Sequence, residues 1–387
     1  MNEQKKGRHI PISQQSVAED HTQLILDGTK IGWHTDRVEA WQRGELIAPI
    51  TLDMALTRAC QYSCGFCYAM LQENDRSVIT KDVMTGMLED SAKMGVRGIS
   101  LVSDGESTLS PVFDHTITLG SELGISMAVG SNGYAFTEER SEKLLQHLTY
   151  LRINFSAGEK ERYAEIMGVR PDAYDKVINN IRKMVQVKKR DGLSVTIGIQ
   201  MVLMPQDADQ VVPFAKLGHE LGVDYAVVKH CSDDEYGSLG VDYSKYKSLY
   251  PIMEEAEGYS TDDYSVVIKW SKITEEGKRS YQQCYGPPFL LQFSGSGLVA
   301  PCAALFNDRY AKFHIGNFCE ERWWDIWQSE RYREVMQYLS SNQFNAQKMC
   351  GTLCLQHKVN EALDRHVSGV QKITPATDSK PMHINFV

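Results

Sequence analysis

Apolar segments of strand length alternate with amphipathic segments of helix length along the first two thirds of the chain. Six short apolar runs fit buried strands, and they begin near residues 50, 98, 125, 150, 194 and 224. The segments between them, such as 173–190, repeat their apolar positions every three or four residues, as helices do. Strands joined by helical crossovers predict a parallel sheet, which right-handed connections curl into a full or partial barrel.

We therefore expect an α/β chain built on a partial (β/α)6 TIM-like barrel, with functional groups at the carboxyl ends of its strands. From about Gly258 the alternation stops, and aromatic residues, glycines and five further cysteines follow. The expected division is an N-terminal extension (1–49), the barrel (50–257), a cysteine-rich module (258–356) and a C-terminal tail (357–387). The pattern leaves open whether the tail is free or clamps onto the barrel.

Composition and charge limit the classes of protein to which the chain can belong. The 387 residues are 42% hydrophobic and 24% charged, which is typical of a globular enzyme with a substantial core. A net charge of −9 argues against a nucleic-acid partner, because such partners require many cationic contacts. No apolar run reaches about 18 residues, so we expect no membrane span. The opening residues M-N-E-Q-K-K-G-R-H-I-P lack the apolar region of a signal peptide, which predicts a cytoplasmic protein.

Three of the nine cysteines lie in one loop directly after the first predicted strand, in T-R-A-C-Q-Y-S-C-G-F-C-Y-A. Cys60, Cys64 and Cys67 could converge on one iron–sulfur cluster, which thiolates bind. Zinc sites usually combine two C-x-x-C pairs, or cysteine pairs with histidines, and neither pattern accompanies this loop. Three ligands for four irons would leave one iron free to bind another group.

The loop resembles the C-x3-C-x2-C cluster loop of the radical S-adenosylmethionine (SAM) superfamily, including the aromatic Phe66 before the last cysteine. The resemblance implies a 4Fe–4S cluster on the three cysteines, whose open iron chelates SAM, and it places Phe66 and Tyr68 at the cofactor. In that family an external one-electron reductant of flavodoxin or ferredoxin type reduces the cluster. SAM is then cleaved to a 5′-deoxyadenosyl radical, which abstracts hydrogen from the substrate.

Three further strand ends resemble cofactor-binding elements of the same superfamily. Ser103-Asp104-Gly105-Glu106 stands in the place of its G-G-E motif, with an aspartate where the first glycine is usual. Residues 130–133 resemble its T-N-G element, and residues 154–158 resemble its S-x-D-G element. The resemblance implies cofactor contacts from Asp104, Gly105, Glu106, Ser131, Asn132 and Ser156. Considered singly, such sequences are common in ordinary turns.

The sixth predicted strand leaves the barrel through Lys229, His230 and Cys231. The Cys231 thiol could donate a hydrogen atom to a substrate radical, as in radical epimerases of this superfamily, or it could be an inert, half-buried side chain. Lys229 and His230 are the nearest candidates for a general base. The acidic run at 233–235, Asp233, Asp234 and Glu235, could bind a polar substrate or simply face water.

Cys284, Cys302, Cys350 and Cys354 form a second grouping. Together with Gly297 and the segment H-I-G-N-F-C-E-E-R-W-W-D-I-W-Q-S-E-R-Y, they resemble the auxiliary-cluster modules called SPASM and twitch. The full SPASM pattern has seven cysteines, so the resemblance favours the shorter type with one auxiliary 4Fe–4S cluster. Structural zinc on the same four thiolates remains the alternative. Cys319 falls in the G-N turn and is not expected to bind metal, and the tryptophans that follow are expected to pack in the core.

The resemblance as a whole implies an enzyme with SAM and two 4Fe–4S clusters. We expect a small polar substrate, such as a sugar, an aminocyclitol or a nucleotide-linked sugar. The substrate would be oxidised or epimerised, with the auxiliary cluster accepting or relaying an electron. A maturase of a peptide or protein is the alternative enzyme, and a non-catalytic iron–sulfur electron carrier is the alternative of another class.

Overall fold

The computed structural model describes residues 24, 30–72, 77–351, 354–377 and 380–387. The opening residues that carry the signal-peptide argument lie outside this part of the chain. The described residues form one sheet of ten strands. These are β1 (Thr51–Met54), β2 (Gly98–Leu101), β3 (Ser126–Ser131), β4 (Leu148–Asn154), β5 (Thr196–Leu203), β6 (Tyr225–His230), β7 (Ser265–Ile268), β8 (Leu290–Phe293), β9 (Leu298–Ala300) and β10 (Gly316–Asn317).

The strand order is β10-β9-β8-β1-β2-β3-β4-β5-β6-β7, with β8 and β1 to β7 parallel and β9 and β10 antiparallel to their neighbours. The six predicted strands are therefore confirmed. The parallel sheet is longer than expected, because β7 and β8 join it from the region that we assigned to the second module. Both have four residues, as β1 and β2 do, but no ordinary crossover helix follows them: the helix after β7 spans only Trp270–Thr274, and β9 follows β8 directly.

Helices cover the outer face of the parallel strands and build much of the C-terminal part. They are α1 (Thr35–Gln42), α2 (Lys81–Met94), α3 (Phe113–Glu122), α4 (Glu138–Leu144), α5 (Lys160–Met167), α6 (Asp172–Asp191), α7 (Val211–Leu221), α8 (Tyr250–Glu257), α9 (Trp270–Thr274), α10 (Trp323–Gln328), α11 (Glu330–Ser340), α12 (Ala346–Met349) and α13 (His357–Val367). None of the helices in the described residues is both long and apolar enough to cross a membrane.

Side chains alternate between the outer core and the interior of the barrel. On β4, Leu151 and Ile153 join the main hydrophobic core, whereas Tyr150, Arg152 and Asn154 line an internal cavity. This period of two is the expected geometry of a strand. The barrel interior is therefore polar and partly open, in contrast to its packed exterior.

The C-terminal segment closes the base of the barrel. The Thr51 hydroxyl donates a hydrogen bond to the Asn385 carbonyl oxygen at 2.7 Å, and Lys30 Nζ donates to the His383 carbonyl oxygen at 3.0 Å. Phe386 packs edge-to-face on Tyr150, with ring centroids 5.0 Å apart. The tail, whose state the sequence left open, thus ends as a clamp at the amino ends of the strands.

Candidate functional site

A cavity of about 620 Å³ runs through the barrel interior, from the clamp at the base to the loop of three cysteines at the carboxyl ends of the strands. Cys60, Cys64 and Cys67 all line it, as do Phe66 and Tyr68. The structure therefore brings the predicted cluster loop and its aromatic residues to the mouth of the barrel.

The three thiols lie close enough to influence one another electrostatically. Burial raises the pKa of Cys64, and the neighbouring Cys67 and Cys60 raise it further. Burial also raises the pKa of Cys60 and of Cys67. Three thiols that converge at the mouth of the cavity could bind a cationic iron core, whose charge would stabilise the thiolate forms.

Glu106 links the carboxyl end of β2 to the carboxyl end of β3 through hydrogen bonds. Its carboxylate accepts hydrogen bonds from the Ser131 hydroxyl at 2.8 Å and from the Asn132 backbone N–H at 2.7 Å. Gly105 adopts a φ of +116°, and a Cβ there would lie 2.0 Å from the Thr57 carbonyl oxygen, so only glycine fits. Gly105, Glu106 and Asn132 line the cavity beside the cluster loop.

Asp104, Ser131 and Ser156 are buried but do not line this cavity. Asp104 accepts hydrogen bonds from the Ser294 hydroxyl and the Gly295 backbone N–H, whereas Ser156 Oγ accepts one from the Val202 N–H at 3.1 Å. These side chains hold the loops in position, and their contacts with a cofactor stay predictions.

The three residues at the end of β6 face different environments. Lys229 and His230 line the cavity, whereas the Cys231 side chain is fully buried beside Val202 and Met204. Burial raises the pKa of Cys231 to about 12, so its thiol is protonated. This placement is that of a small apolar core residue, and the role of Cys231 as a hydrogen donor stays a prediction.

His230 is held as a neutral imidazole. Burial lowers its pKa to about 4, and Nδ1 lies 2.7 Å from the Cys231 carbonyl oxygen. Because a carbonyl can only accept, Nδ1 carries the proton and Nε2 is left as an acceptor. Burial also lowers the pKa of Lys229, to about 7. Lys229 therefore has a pKa suited to a base near neutral pH, whereas His230 is neutral there but only weakly basic.

The carboxylates of Asp233 and Asp234 form hydrogen bonds and an ion pair within the protein. Asp233 accepts hydrogen bonds from backbone N–H groups of its own loop, including that of Leu239 at 2.9 Å. Asp234 forms an ion pair with Arg309 at 3.2 Å. Exposed Glu235 hydrogen-bonds the Tyr310 hydroxyl. The contacts of Asp234 and Glu235 join the β6 loop to the cysteine-rich part, and substrate binding by the acidic run stays a prediction.

Two charged residues that the sequence analysis did not single out also line the cavity, Asp53 on β1 and Arg152 on β4. Burial raises the pKa of Asp53 to about 6, although a hydrogen bond from Gln292 at 3.1 Å opposes this. The signal that could have found them is a charged residue inside an otherwise apolar strand pattern, in I-T-L-D-M and Y-L-R-I-N.

The second cysteine grouping also assembles. Burial raises the pKa of Cys284, and the charges of Cys354, Cys350 and Cys302 raise it further, so the four thiols are neighbours. Tetrahedral zinc with bonds of about 2.3 Å would hold its sulfurs roughly 3.8 Å apart. Among the described residues, only Glu275, His357 and Glu361 form a group of three His, Cys, Asp or Glu side chains whose possible ligand atoms all lie within 4.8 Å of one another. No three of the four thiols come that close together. The wider spacing of the thiols fits an iron–sulfur cluster better than zinc.

Polar groups surround these four thiols, and the sequence analysis missed them because no motif marks them. The Tyr281 hydroxyl lies 3.7 Å from Cys354 Sγ, and Lys272 Nζ donates to the Cys354 carbonyl oxygen at 3.2 Å. Partial burial lowers the pKa of Arg279, but the charges of Cys354 and Cys350 outweigh this and raise it. Donors of this kind tune the reduction potential of a bound cluster.

Cys319 lies against the Gly297 turn of the β8–β9 hairpin, and the expectation that it binds no metal stays a prediction. Trp323 is fully buried and packs edge-to-face on Phe293, with ring centroids 5.0 Å apart. Trp324 and Trp327 are half-buried. The helix that carries them packs on the barrel wall.

Sequence profiles match both parts of the chain. The Radical SAM superfamily profile matches residues 54–217, and the profile of the SPASM iron–sulfur cluster-binding domain matches residues 284–354. The second match begins and ends at Cys284 and Cys354, the first and last cysteines of the predicted auxiliary site.

Two curated relatives are similar over less than half of this chain. "Probable GTP 3',8-cyclase" of Saccharolobus solfataricus is 26% identical over 173 residues, which cover 44% of this chain and 54% of that protein. "Sporulation killing factor maturation protein SkfB" of Bacillus subtilis is 25% identical over 185 residues, which cover 45% and 43%. The chain thus spans about half the length of the curated relatives that it matches.

Solved structures share the fold over most of the chain. Streptococcus suis SuiB bound to S-adenosylmethionine superposes with a TM-score of 0.61 at 19% identity, covering 78% of this chain and 71% of SuiB. SuiB bound to its precursor peptide SuiA gives a TM-score of 0.60 at 18% identity, covering 82% and 74%. At these identities the likeness shows the common architecture.

The profile matches, the converging cysteines and the common architecture agree with one another. They imply SAM and more than one 4Fe–4S cluster as cofactors. The expectation of a radical SAM enzyme that uses SAM and 4Fe–4S clusters is therefore confirmed. The chain belongs to the radical SAM superfamily and carries a SPASM-type iron–sulfur module in its C-terminal part.

Proposed function

We propose that this radical SAM enzyme modifies a peptide or protein, which was the alternative in the sequence analysis. The observation that carries the proposal is the likeness to SuiB over both the barrel and the cysteine-rich part, since SuiB is also known with a precursor peptide bound. The name of SkfB as a maturation protein supports the same assignment. A peptide substrate replaces the small sugar-like molecule as the leading expectation.

Cys60, Cys64 and Cys67 would hold the SAM-binding cluster, and Cys284, Cys302, Cys350 and Cys354 the auxiliary cluster. When bound and reduced, the first cluster together with SAM supplies a 5′-deoxyadenosyl radical that takes hydrogen from carbon. The protein must then keep water and competing donors away from the reacting carbon. The clamp at 381–387 contributes by closing the base of the cavity.

Lys229 and His230 are the side chains placed to move protons. If the reaction is an oxidation, a base must take the proton that leaves with the second electron. The free Nε2 of His230 can accept this proton, and Lys229, with a pKa of about 7, can do so only while no bound anion keeps it protonated. Oxidation therefore stays ahead of epimerisation, which would require a hydrogen donor on the cavity wall.

The test is to incubate anaerobically reconstituted, reduced enzyme with SAM and a library of short peptides. Formation of 5′-deoxyadenosine and the mass of each peptide are then measured. A peptide that stimulates deoxyadenosine formation and loses two mass units would support the proposal. Stimulation by nucleotide sugars or nucleoside triphosphates, with no response to any peptide, would reject it. The triple variant with alanine at positions 60, 64 and 67 is the control for adventitious cleavage.

A further inference from the structure

Two cations in the barrel interior have no partner. Arg152 on β4 and Lys229 on β6 both line the cavity. Within the described part of the chain, neither side chain makes a hydrogen bond or an ion pair, and Arg152 Nε is buried without any acceptor. The nearest aromatic contact of the guanidinium is the Tyr150 ring, 5.5 Å away. Buried cations are costly unless they are paired, so this arrangement calls for an anionic ligand.

The two cations face the same space. Their strands flank β5, where Arg152 is opposite Gly198, and Gly198 is opposite Tyr225. A Cβ at position 198 would lie 2.3 Å from the Tyr225 ring, so glycine on β5 makes room for that ring beside Arg152. After burial, the charge of Arg152 is the next largest influence lowering the pKa of Lys229. The two positive groups therefore act on each other across the cavity.

Asp53 and Glu106 on the cavity wall form no ion pair with these two side chains, although the charge of Asp53 attracts both of them. Glu106 is occupied by Ser131 and Asn132, as described above. Asp53 accepts a hydrogen bond from Gln292 and lies beyond ion-pair distance of either cation in the described structure. The interior is thus prepared for one additional negative group.

We propose that the substrate carries a carboxylate that binds in the barrel interior between Arg152 and Lys229. The proposal rests on the proposed function, because an Asp or Glu side chain, or a chain terminus, is what supplies a carboxylate in a peptide. A guanidinium can present two parallel N–H groups to a carboxylate, and the ammonium adds a point charge. The substrate would thereby be anchored at one group while a nearby carbon faces the mouth of the barrel.

The test is anaerobic titration calorimetry on the reconstituted enzyme with two matched probes. N-acetyl-glutamic acid α-amide carries one carboxylate, and N-acetyl-glutamine α-amide is its neutral isostere. The first should bind at least about tenfold more tightly, since a charge-assisted hydrogen bond is worth that much or more. Arg152→Gln and Lys229→Gln should each remove most of this preference. Arg170→Gln, at an exposed arginine, should leave it unchanged.

Arg152→Lys keeps the charge and guards against misfolding of the glutamine variant. It should retain part of the preference if the proposal is right. Equal binding of the two probes by the unaltered enzyme would overturn the proposal. So would inorganic phosphate that binds more tightly than the glutamate probe and loses its affinity in Arg152→Gln, because the anion would then be a phosphate.

Binding is measured without turnover, so the two proposals can fail separately. A carboxylate preference in an enzyme that no peptide stimulates would reject the proposed function and retain the anion site. Peptide modification by an enzyme that binds both probes equally would reject the anion site and retain the proposed function.

Discussion

The carboxylate of Asp104 accepts a hydrogen bond from the hydroxyl of Ser294, with 2.6 Å between Oδ2 and Oγ. The two residues are 190 positions apart, and they join the loop after β2 to the hairpin of the cysteine-rich part. Arg58 of the cluster loop completes the contact at 3.3 Å from the same carboxylate. An aspartate in place of the usual glycine therefore connects the two halves of the enzyme.

Removing this carboxylate should destabilise the protein. Asp104→Ala would remove the hydrogen bonds from the Ser294 hydroxyl and the Gly295 N–H and the ion pair with Arg58, at a cost of about 2–4 kcal/mol. The free energy of unfolding in urea measures this cost. Asp172→Ala removes an exposed carboxylate and should change stability by less than about 0.5 kcal/mol. Similar values for the two variants would show that the contact contributes little.

Reconstituted enzyme should contain about eight irons per chain, four at each site. Replacing Cys60, Cys64 and Cys67 together with alanine should remove about half of the iron and all deoxyadenosine formation. Cys319→Ala should retain the full iron content, because that thiol lies outside both groupings. Iron and zinc are measured by elemental analysis. Zinc bound stoichiometrically to the triple variant would contradict the assignment of the auxiliary site.

Lys229 should make stability depend on pH. Burial lowers its pKa to about 7, whereas the unfolded value is about 10.4. Between these values the unfolded chain binds one more proton, so the contribution of Lys229 to stability rises with pH across this window. Below about pH 7 the residue is charged in both states, and its burial is most costly.

Lys229→Met should therefore stabilise the protein on the order of 2 kcal/mol near pH 6, with the advantage shrinking toward pH 10. Melting temperatures across this range measure the effect. Lys245→Met, at an exposed lysine, is the control and should show no such trend. An advantage of Lys229→Met that is the same at pH 6 and pH 9.5 would mean that Lys229 titrates normally.

The clamp at 381–387 should contribute to the stability of the protein and to the coupling of deoxyadenosine formation to substrate modification. Phe386→Ala removes a buried ring from the base of the barrel and should cost about 2–4 kcal/mol. Water admitted to the cavity should also raise deoxyadenosine formation relative to substrate modification. Val370→Ala alters an exposed residue and should change neither quantity. A Phe386→Ala enzyme with normal stability and coupling would show that the segment merely covers the surface.

Local sequence patterns were sufficient to predict the six central strands and both cysteine groupings. Each predicted strand is an apolar run, and its burial in a parallel sheet depends mainly on that composition. Strands β7 and β8 were not predicted, because the regular alternation of strands with helices ends before them and only the tertiary structure pairs them with β6 and β1. For the same reason the sequence placed the start of a separate module at a point where the sheet in fact continues.

The sequence by itself determined the chemistry: seven cysteines at characteristic spacings, strand ends suited to a cofactor, and an α/β framework to carry them. Only the tertiary structure decided how the side chains are used. Asp104 became a link between the two halves, Cys231 entered an apolar cluster, and Arg152 was left in the cavity without a partner. The physical reason is that burial and pairing depend on neighbours far away in the sequence, and these are present only once the barrel and its clamp have formed.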